Sequence, residues 1–327
     1  MLPASSGATD DLTGPRDPAA RWATSCWLAA CEHFEDQRLA GAAVVLRAAG
    51  RILLTGAGVG LDAARFGALA LQEAGFEAQA GHAADLAEGG FRLQPGDTLL
   101  GIDTGRRDVP AALSRARELG LQTLGLTDRD LTLIDPDVLL YYVEPSDGLA
   151  PDRRSPLPVC AMLSMLVARA EPAARLAFDA TTFHTQIERL AAARVAAAQV
   201  ADRLAEQPGR LVIGSMGPST WVAESIARRI NRLAPGPAAA TAVVTHLRDL
   251  SAPGWQFRPD DILITLEPAG GEPPEEYADS SPALHWRIGG ARGAAGLHTR
   301  LNLPSPTLAS LGVAFVLELL LDELAAR

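Results

Sequence analysis

The sequence predicts an α/β protein built from two tandem, doubly wound parallel-sheet units, on three observations. An apolar strand that runs into a Gly-rich turn and then a helical stretch occurs as Arg51-Ile-Leu-Leu-Thr-Gly-Ala-Gly-Val-Gly60. It recurs 159 residues later as Arg210-Leu-Val-Ile-Gly-Ser-Met-Gly-Pro-Ser219. Gly81-His-Ala-Ala-Asp-Leu86 is echoed by Thr245-His-Leu-Arg-Asp-Leu250, and Leu100-Gly-Ile-Asp103 by Ile264-Thr-Leu-Glu267, both at an offset of 164. Each unit then reaches a Ser-Pro pair, Ser155-Pro156 or Ser305-Pro306, that opens a very apolar helix. Matches in one order at nearly constant spacing are the mark of duplication. The competing account is that α/β chains reuse the same strand–turn–helix grammar.

Residues 1–19, rich in Ser, Gly, Asp and Pro, read as a disordered leader without the basic and apolar regions of an export signal. The first domain is expected over 20–172. Ala20–Ala49 has helical composition, and Gly41 is its only internal breaker, expected to join two helices. Arg51–Thr55 is a strand, Leu61–Ala74 the helix after the turn, and Phe76–Ala80 a second strand. Thr98–Asp103 is a third, entered through Pro95-Gly96-Asp97. Helix Val109–Leu119 and strands Gln122–Leu126 and Val138–Val143 complete the set. Short, continuously apolar strands alternating with helices imply a parallel sheet covered on both faces. A helical connector is expected over 173–208, with Phe183–Glu206 as one long Ala/Arg-rich stretch. The second domain, 209–327, holds strands near Leu211–Ile213, Ala239–Val244, Asp261–Leu266 and Leu284–Ile288, then the terminal helix. A cleft is expected between two lobes.

At 327 residues the chain can bury two full cores, and 48% apolar and 21% charged residues read as soluble and globular. A net charge of −10 argues against nucleic acid, whose binding is driven by clustered cations. There is no lysine, so all 29 cations are arginine, and Schiff-base chemistry on a lysine is excluded. Cys26, Cys31 and Cys160 lack metal-type spacing and read as reduced thiols in the cytoplasm. Leu308–Leu321 is interrupted by Glu318 and too short to span a bilayer, so it reads as a packing helix.

In such sheets ligands bind beyond the carboxyl ends of the strands, where turns and helix N-termini meet. Gly56, Gly58 and Gly60 offer backbone N–H groups without Cβ obstruction, where the helix dipole favours an anion. The glycine spacing and the lack of an acidic partner after Phe76–Ala80 argue against a nicotinamide dinucleotide. A second anion candidate is Asp103-Thr-Gly-Arg-Arg107: Thr104 donates a hydroxyl, Gly105 opens the backbone, and Arg106 and Arg107 offer bidentate forks. The other reading of these arginines is a solvated loop. The equivalent turn of the second unit, Glu267-Pro-Ala-Gly-Gly271, has neither hydroxyl nor arginine. Ser155, Ser215 and Ser219 supply further hydroxyls. Glu224, His246 and Asp249 are the candidates for proton transfer, with His82 and Asp85 as the corresponding pair of the first unit. A histidine three residues before an acid is either a base oriented by that carboxylate or a cap at a strand end. The scattered histidines show no ligand spacing, so no metal or cofactor is expected.

Taken together, the two strand–Gly-turn–helix units, the hydroxyl-Gly turn after the third strand and the apolar terminal helix resemble the double SIS (sugar isomerase) family. The nearest comparison is the isomerase half of glucosamine-6-phosphate synthase. The resemblance covers roughly Arg51–Ala170 and Arg210–Leu324 and implies two flavodoxin-like domains that hold a phosphorylated sugar or aminosugar. The family's first turn reads Gly-x-Gly/Thr-Ser, where this chain has Val59 or Gly60. Its phosphate turn reads Ser-x-Ser-Gly-x-Thr, of which only Thr104 and Gly105 match. Arg228 and Asn231 fall where the synthase carries a lysine and a proton-moving glutamate. His246-Leu-Arg-Asp249 falls on Glu-Leu-Lys-His, the late lysine has no counterpart, and no glutaminase domain is expected. The resemblance implies aldose–ketose isomerisation through an enediol, with a non-catalytic phosphosugar sensor and lyase or deglycase chemistry as alternatives. The apolar helices Pro156–Ala170 and Thr307–Leu324 suggest a homodimer.

Overall fold

Asp17 opens the first helix: its carboxylate accepts the Ala19 and Ala20 N–H groups at 2.9 and 3.2 Å, and Pro18 holds the first helical position. Helix α1 (Pro18–Glu32) therefore starts inside the stretch expected to be a leader. The computed structural model describes residues 17–104, 108–128, 136–142, 155–174, 176, 180–206, 209–233, 241–252, 255–267, 282–289, 297–301, 303 and 305–327. α1 stops at His33, and Asp36 caps α2 (Gln37–Ala48) through the Arg38 N–H at 2.7 Å. The break, at 33–36, comes before the one expected at Gly41. Gly41 sits inside α2, because a capping aspartate decides a helix start more firmly than one glycine decides an end.

The first sheet contains β1 (Arg51–Gly56), β2 (Ala78–His82), β3 (Asp97–Asp103), β4 (Gln122–Thr127) and β5 (Val138–Tyr141), all parallel in the order β2-β1-β3-β4-β5. Its helices are α3 (Val59–Glu73), α4 (Ala83–Glu88), α5 (Asp108–Glu118) and α6 (Leu157–Ala170). The connector is two helices, α7 (Ala180–Ala191) and α8 (Arg194–Glu206). The second sheet contains β6 (Arg210–Ser215), β7 (Thr241–His246), β8 (Ile262–Leu266), β9 (Leu284–Ile288) and β10 (Leu297–Thr299), with α9 (Thr220–Leu233) and α10 (Pro306–Ala325). Its order, β7-β6-β8-β9-β10, reproduces that of the first sheet. The three-residue β10 was not expected, being too short to carry a pattern. β2 and β7 run two residues further than expected, which brings His82 and His246 onto the strand ends.

The two units share one device at the opposite, N-terminal end of their sheets. Arg51 donates to Asp97 at 3.2 and 2.6 Å, and Arg210 donates to Asp261 at 2.9 and 2.5 Å. Each aspartate also accepts a loop N–H at 2.7 Å, from Gln94 and Arg258 respectively. Such bidentate pairs fix the entry of the two central strands.

The inner faces of both sheets (Ile52, Leu54 and Ile102; Leu211, Ile213 and Ile264) belong to one continuous apolar core with α3, α6, α9 and α10. The expected cleft between two lobes is therefore a packed helical layer, since the apolar faces of those helices have no other surface to cover. Separate outer clusters lie beneath α4 and α5 on the first sheet and around Leu247, Leu250 and Phe257 on the second. α7 joins the core by stacking Phe183 on Trp27, with centroids 4.2 Å apart. Arg194 at the start of α8 clasps Asp17, Asp322 at 3.4 Å and Glu323 at 2.9 Å, tying both ends of the described chain together. α6 and α10 are buried within a single chain, which accounts for their composition without a second copy. Among the described residues no helix is long and apolar enough to cross a membrane.

Candidate functional site

The first strand-end turn is built by three glycines with separate reasons. A Cβ on Gly56 would lie 2.3 Å from the Gly60 carbonyl carbon, and one on Gly60 would lie 2.8 Å from the Ile102 oxygen. Gly58 has φ +57° and ψ −121°, a conformation effectively reserved for glycine. These approaches set the start of α3 directly against the end of β3, so that Thr104 stands beside Gly60, its Oγ1 3.4 Å from where that Cβ would be. Gly56, Gly58, Gly60 and Thr104 thus share one corner at the N-terminus of a 15-residue helix. Gly105, Arg106 and Arg107 lie outside the described residues.

The second turn follows β6. Ser215 pairs in register with His246 on β7 and Leu266 on β8, so serine and histidine end adjacent strands. Ser219 closes a short turn in which Gly217 has φ +63°, and Thr220 begins α9. Ser215 and Ser219 are buried, and neither hydroxyl has a hydrogen-bond partner among the described residues.

His82 and His246 do the same local work. Each Nδ1 accepts a backbone N–H at 3.2 Å, from Ala84 and from Arg248, and so caps the helical turn that follows. The ring of His246 is thus fixed by the backbone, and not by Asp249, which is exposed like His246 itself. Ser155 is buried and donates to Glu318 at 2.7 Å. Glu224 is drawn into an ion pair with Arg65 of α3 and lies 3.8 Å from Arg228. Ser155 and Glu224 therefore belong to the helical layer between the sheets. Asn231, at the position of the family's glutamate, pins α9 to β7 by exchanging two hydrogen bonds with the Ala242 backbone, at 3.1 and 2.8 Å.

That layer also holds Asp62 and Arg229, charges the sequence reading did not single out. Asp62, in the first turn of α3 and 2% exposed, accepts from Ser225 at 2.6 Å and from the Arg228 guanidinium, both on α9. Burial pushes its carboxyl above the usual range, against the opposing pull of Ser225, Arg228 and Arg65. Deeper in, Arg229 holds Glu318 of α10 from two directions, and Glu318 also takes the Ser155 hydroxyl. One visible signal was Asp62 itself, the only charge in the apolar run Gly60-Leu-Asp-Ala-Ala64.

Beyond β8, Glu267 is paired with Arg287 at 2.7 and 3.1 Å, and Thr265 Oγ1 lies 3.0 Å from His285 Nε2. Burial, and then the positive Arg287, hold His285 down at about 4. Because its folded value lies below the ordinary value of 6.5, the unfolded chain takes up the proton first as pH falls. The stability this group supports is complete above pH 6.5 and is lost progressively towards pH 4. Across that window, the urea-unfolding free energy of His285→Gln is expected to fall less steeply with pH, by about one bound proton. Equal slopes in the two proteins would refute this.

No family model and no curated protein sequence matches the chain. Solved structures do. Tagatose-6-phosphate ketose/aldose isomerase from Escherichia coli superposes with a TM-score of 0.72 at 18% identity, over 94% of this chain and 90% of that one. The C-terminal domain of glucosamine-fructose-6-phosphate aminotransferase from Francisella tularensis gives 0.68 at 8% identity, over 94% and 93%. Glucosamine-6-phosphate deaminase from Thermotoga maritima gives 0.63 at 13%, over 95% of each. At these identities it is the fold that is shared. The chain has the α/β fold of these proteins, two five-stranded parallel sheets of the SIS, flavodoxin-like kind flanked by helices.

Proposed function

We propose that the chain binds a phosphorylated sugar or aminosugar at the carboxyl ends of its strands and interconverts its aldose and ketose forms. The observation that carries this reading is the corner made by Gly56, Gly58, Gly60 and Thr104, where a hydroxyl-bearing side chain stands at the N-terminus of a 15-residue helix whose positive end favours an anion. The fold shared with proteins that act on sugar phosphates supports it. In the second unit Ser215, Ser219 and His246 offer two hydroxyls and an imidazole; with Nδ1 accepting the cap N–H, the neutral ring carries its proton on Nε2 and presents a donor there. Isomerisation needs a base that takes the proton from C2 of the open-chain aldose while a donor protonates the C1 carbonyl oxygen, leaving an enediol. The base then returns its proton to C1, while the C2 hydroxyl gives up its own proton to the donor and becomes the ketone. His246 is assigned the role of that donor through Nε2–H, and Asp249, on the same turn, that of the base.

A second reading, a phosphosugar-binding protein without turnover, is favoured by Glu224: a carboxylate held between Arg65 and Arg228 is a poor base. Two measurements on a panel of hexose and aminosugar 6-phosphates separate these readings. Isomerisation predicts deuterium incorporation at C1 or C2 in heavy water, lost by about a hundredfold or more in His246→Ala. Calorimetric binding with no incorporation selects the sensor, and the absence of binding across the panel refutes both.

A further inference from the structure

We infer that Arg228, on α9 of the second unit, is a positioning residue for anion binding by the first unit: it neutralises Asp62, whose carboxylate otherwise opposes an anion at the Gly56–Gly60 turn. The inference rests on the phosphate-binding reading above. The N-terminus of α3 favours negative charge, but Asp62 already places one in its first turn. That carboxylate is buried, so neither water nor salt screens it well from a second anion on the same turn. On α3 the nearby cation, Arg65, is directed to Glu224. What bonds Asp62 from α9 is the neutral Ser225 hydroxyl at 2.6 Å and the charged Arg228, while the neighbouring cation Arg229 is held by Glu318. The four charged groups Asp62, Arg65, Glu224 and Arg228 sum to zero only with Arg228 present.

The sheets reproduce each other's strand order, so α3 and α9 each begin at a strand-end turn, and they meet through these side chains. The anion-holding corner of one unit is therefore completed electrostatically by the other. A merely structural cross-link predicts that every substitution in it weakens binding. Charge compensation predicts opposite signs for its two partners.

The test is isothermal titration of the full chain with inorganic phosphate and with glucose 6-phosphate. Arg228→Gln is expected to weaken both by roughly tenfold, within the usual range of couplings between sites. Asp62→Asn, which keeps the shape and still bonds Ser225, is expected to tighten both several-fold. The double variant is expected to return close to wild type. Should Arg228→Gln fail to fold, Asp62→Asn alone decides. Binding by wild type together with weaker or unchanged binding by Asp62→Asn overturns the inference and leaves the phosphate reading intact. Binding of neither probe by wild type overturns that reading, and the inference with it.

Discussion

Gly56→Ala is expected to destabilise the fold by about 2–4 kcal/mol and to abolish sugar-phosphate binding. The added methyl would lie 2.3 Å from the Gly60 carbonyl carbon, 2.4 Å from its oxygen and 2.7 Å from the Leu61 nitrogen, all of them backbone atoms. No rotamer change can relieve that contact. The chain must move the first turn of α3 away from β1 and, with it, the helix N-terminus proposed to hold the anion. Because Gly60 is in turn wedged against the Ile102 carbonyl, the displacement pushes into β3 and Thr104 as well. Urea denaturation and calorimetry with a hexose 6-phosphate check the two halves separately. Wild-type stability with wild-type affinity would show that the turn yields at no cost. Gly75→Ala is a contrasting variant: it has open space, so only its φ of +89° costs, and binding should survive.

Arg229→Met is expected to cost about 3–5 kcal/mol, the largest loss from any single side chain of the helical layer. The guanidinium is 13% exposed and its partner carboxylate, Glu318, only 5%. Removing the arginine leaves Glu318 charged in a largely apolar helix, with the Ser155 hydroxyl as its remaining donor among the described residues, at 2.7 Å. Replacing both partners, Arg229→Met with Glu318→Leu, should recover most of the loss, because no buried charge is then left uncompensated. Urea midpoints for the two single variants and the double variant form a cycle. A loss of less than about 1 kcal/mol for Arg229→Met would mean that water reaches Glu318 and the layer is less dry than its packing implies.

Much of this architecture was legible because it depends on local chemistry. Strand–turn–helix grammar at Arg51–Gly60 and Arg210–Ser219 needs only apolar runs and the glycines that end them. The echo extended further than the residues first compared. Phe91-Arg-Leu-Gln-Pro-Gly-Asp97 and Trp255-Gln-Phe-Arg-Pro-Asp-Asp261 keep the 164 spacing and carry the aspartates of the Arg51 and Arg210 clamps. Where reading failed, two local signals competed or none existed. Gly41 was weighed as a breaker, while the Asp36 cap set the boundary. β10, at three residues, has no period to detect.

For the candidate site, the sequence alone determined which residue types stand at the strand ends: three glycines and Thr104 in one unit, Ser215, Ser219 and His246 in the other. Only the tertiary structure decided their company. Asp62 meets Arg228 across 166 residues, and Ser155 meets Glu318 across 163. Such pairings carry no spacing rule, because they arise from which helix faces are left to cover both sheets. The same cause closed the expected cleft. Apolar faces must be buried, and here the two units bury them on each other.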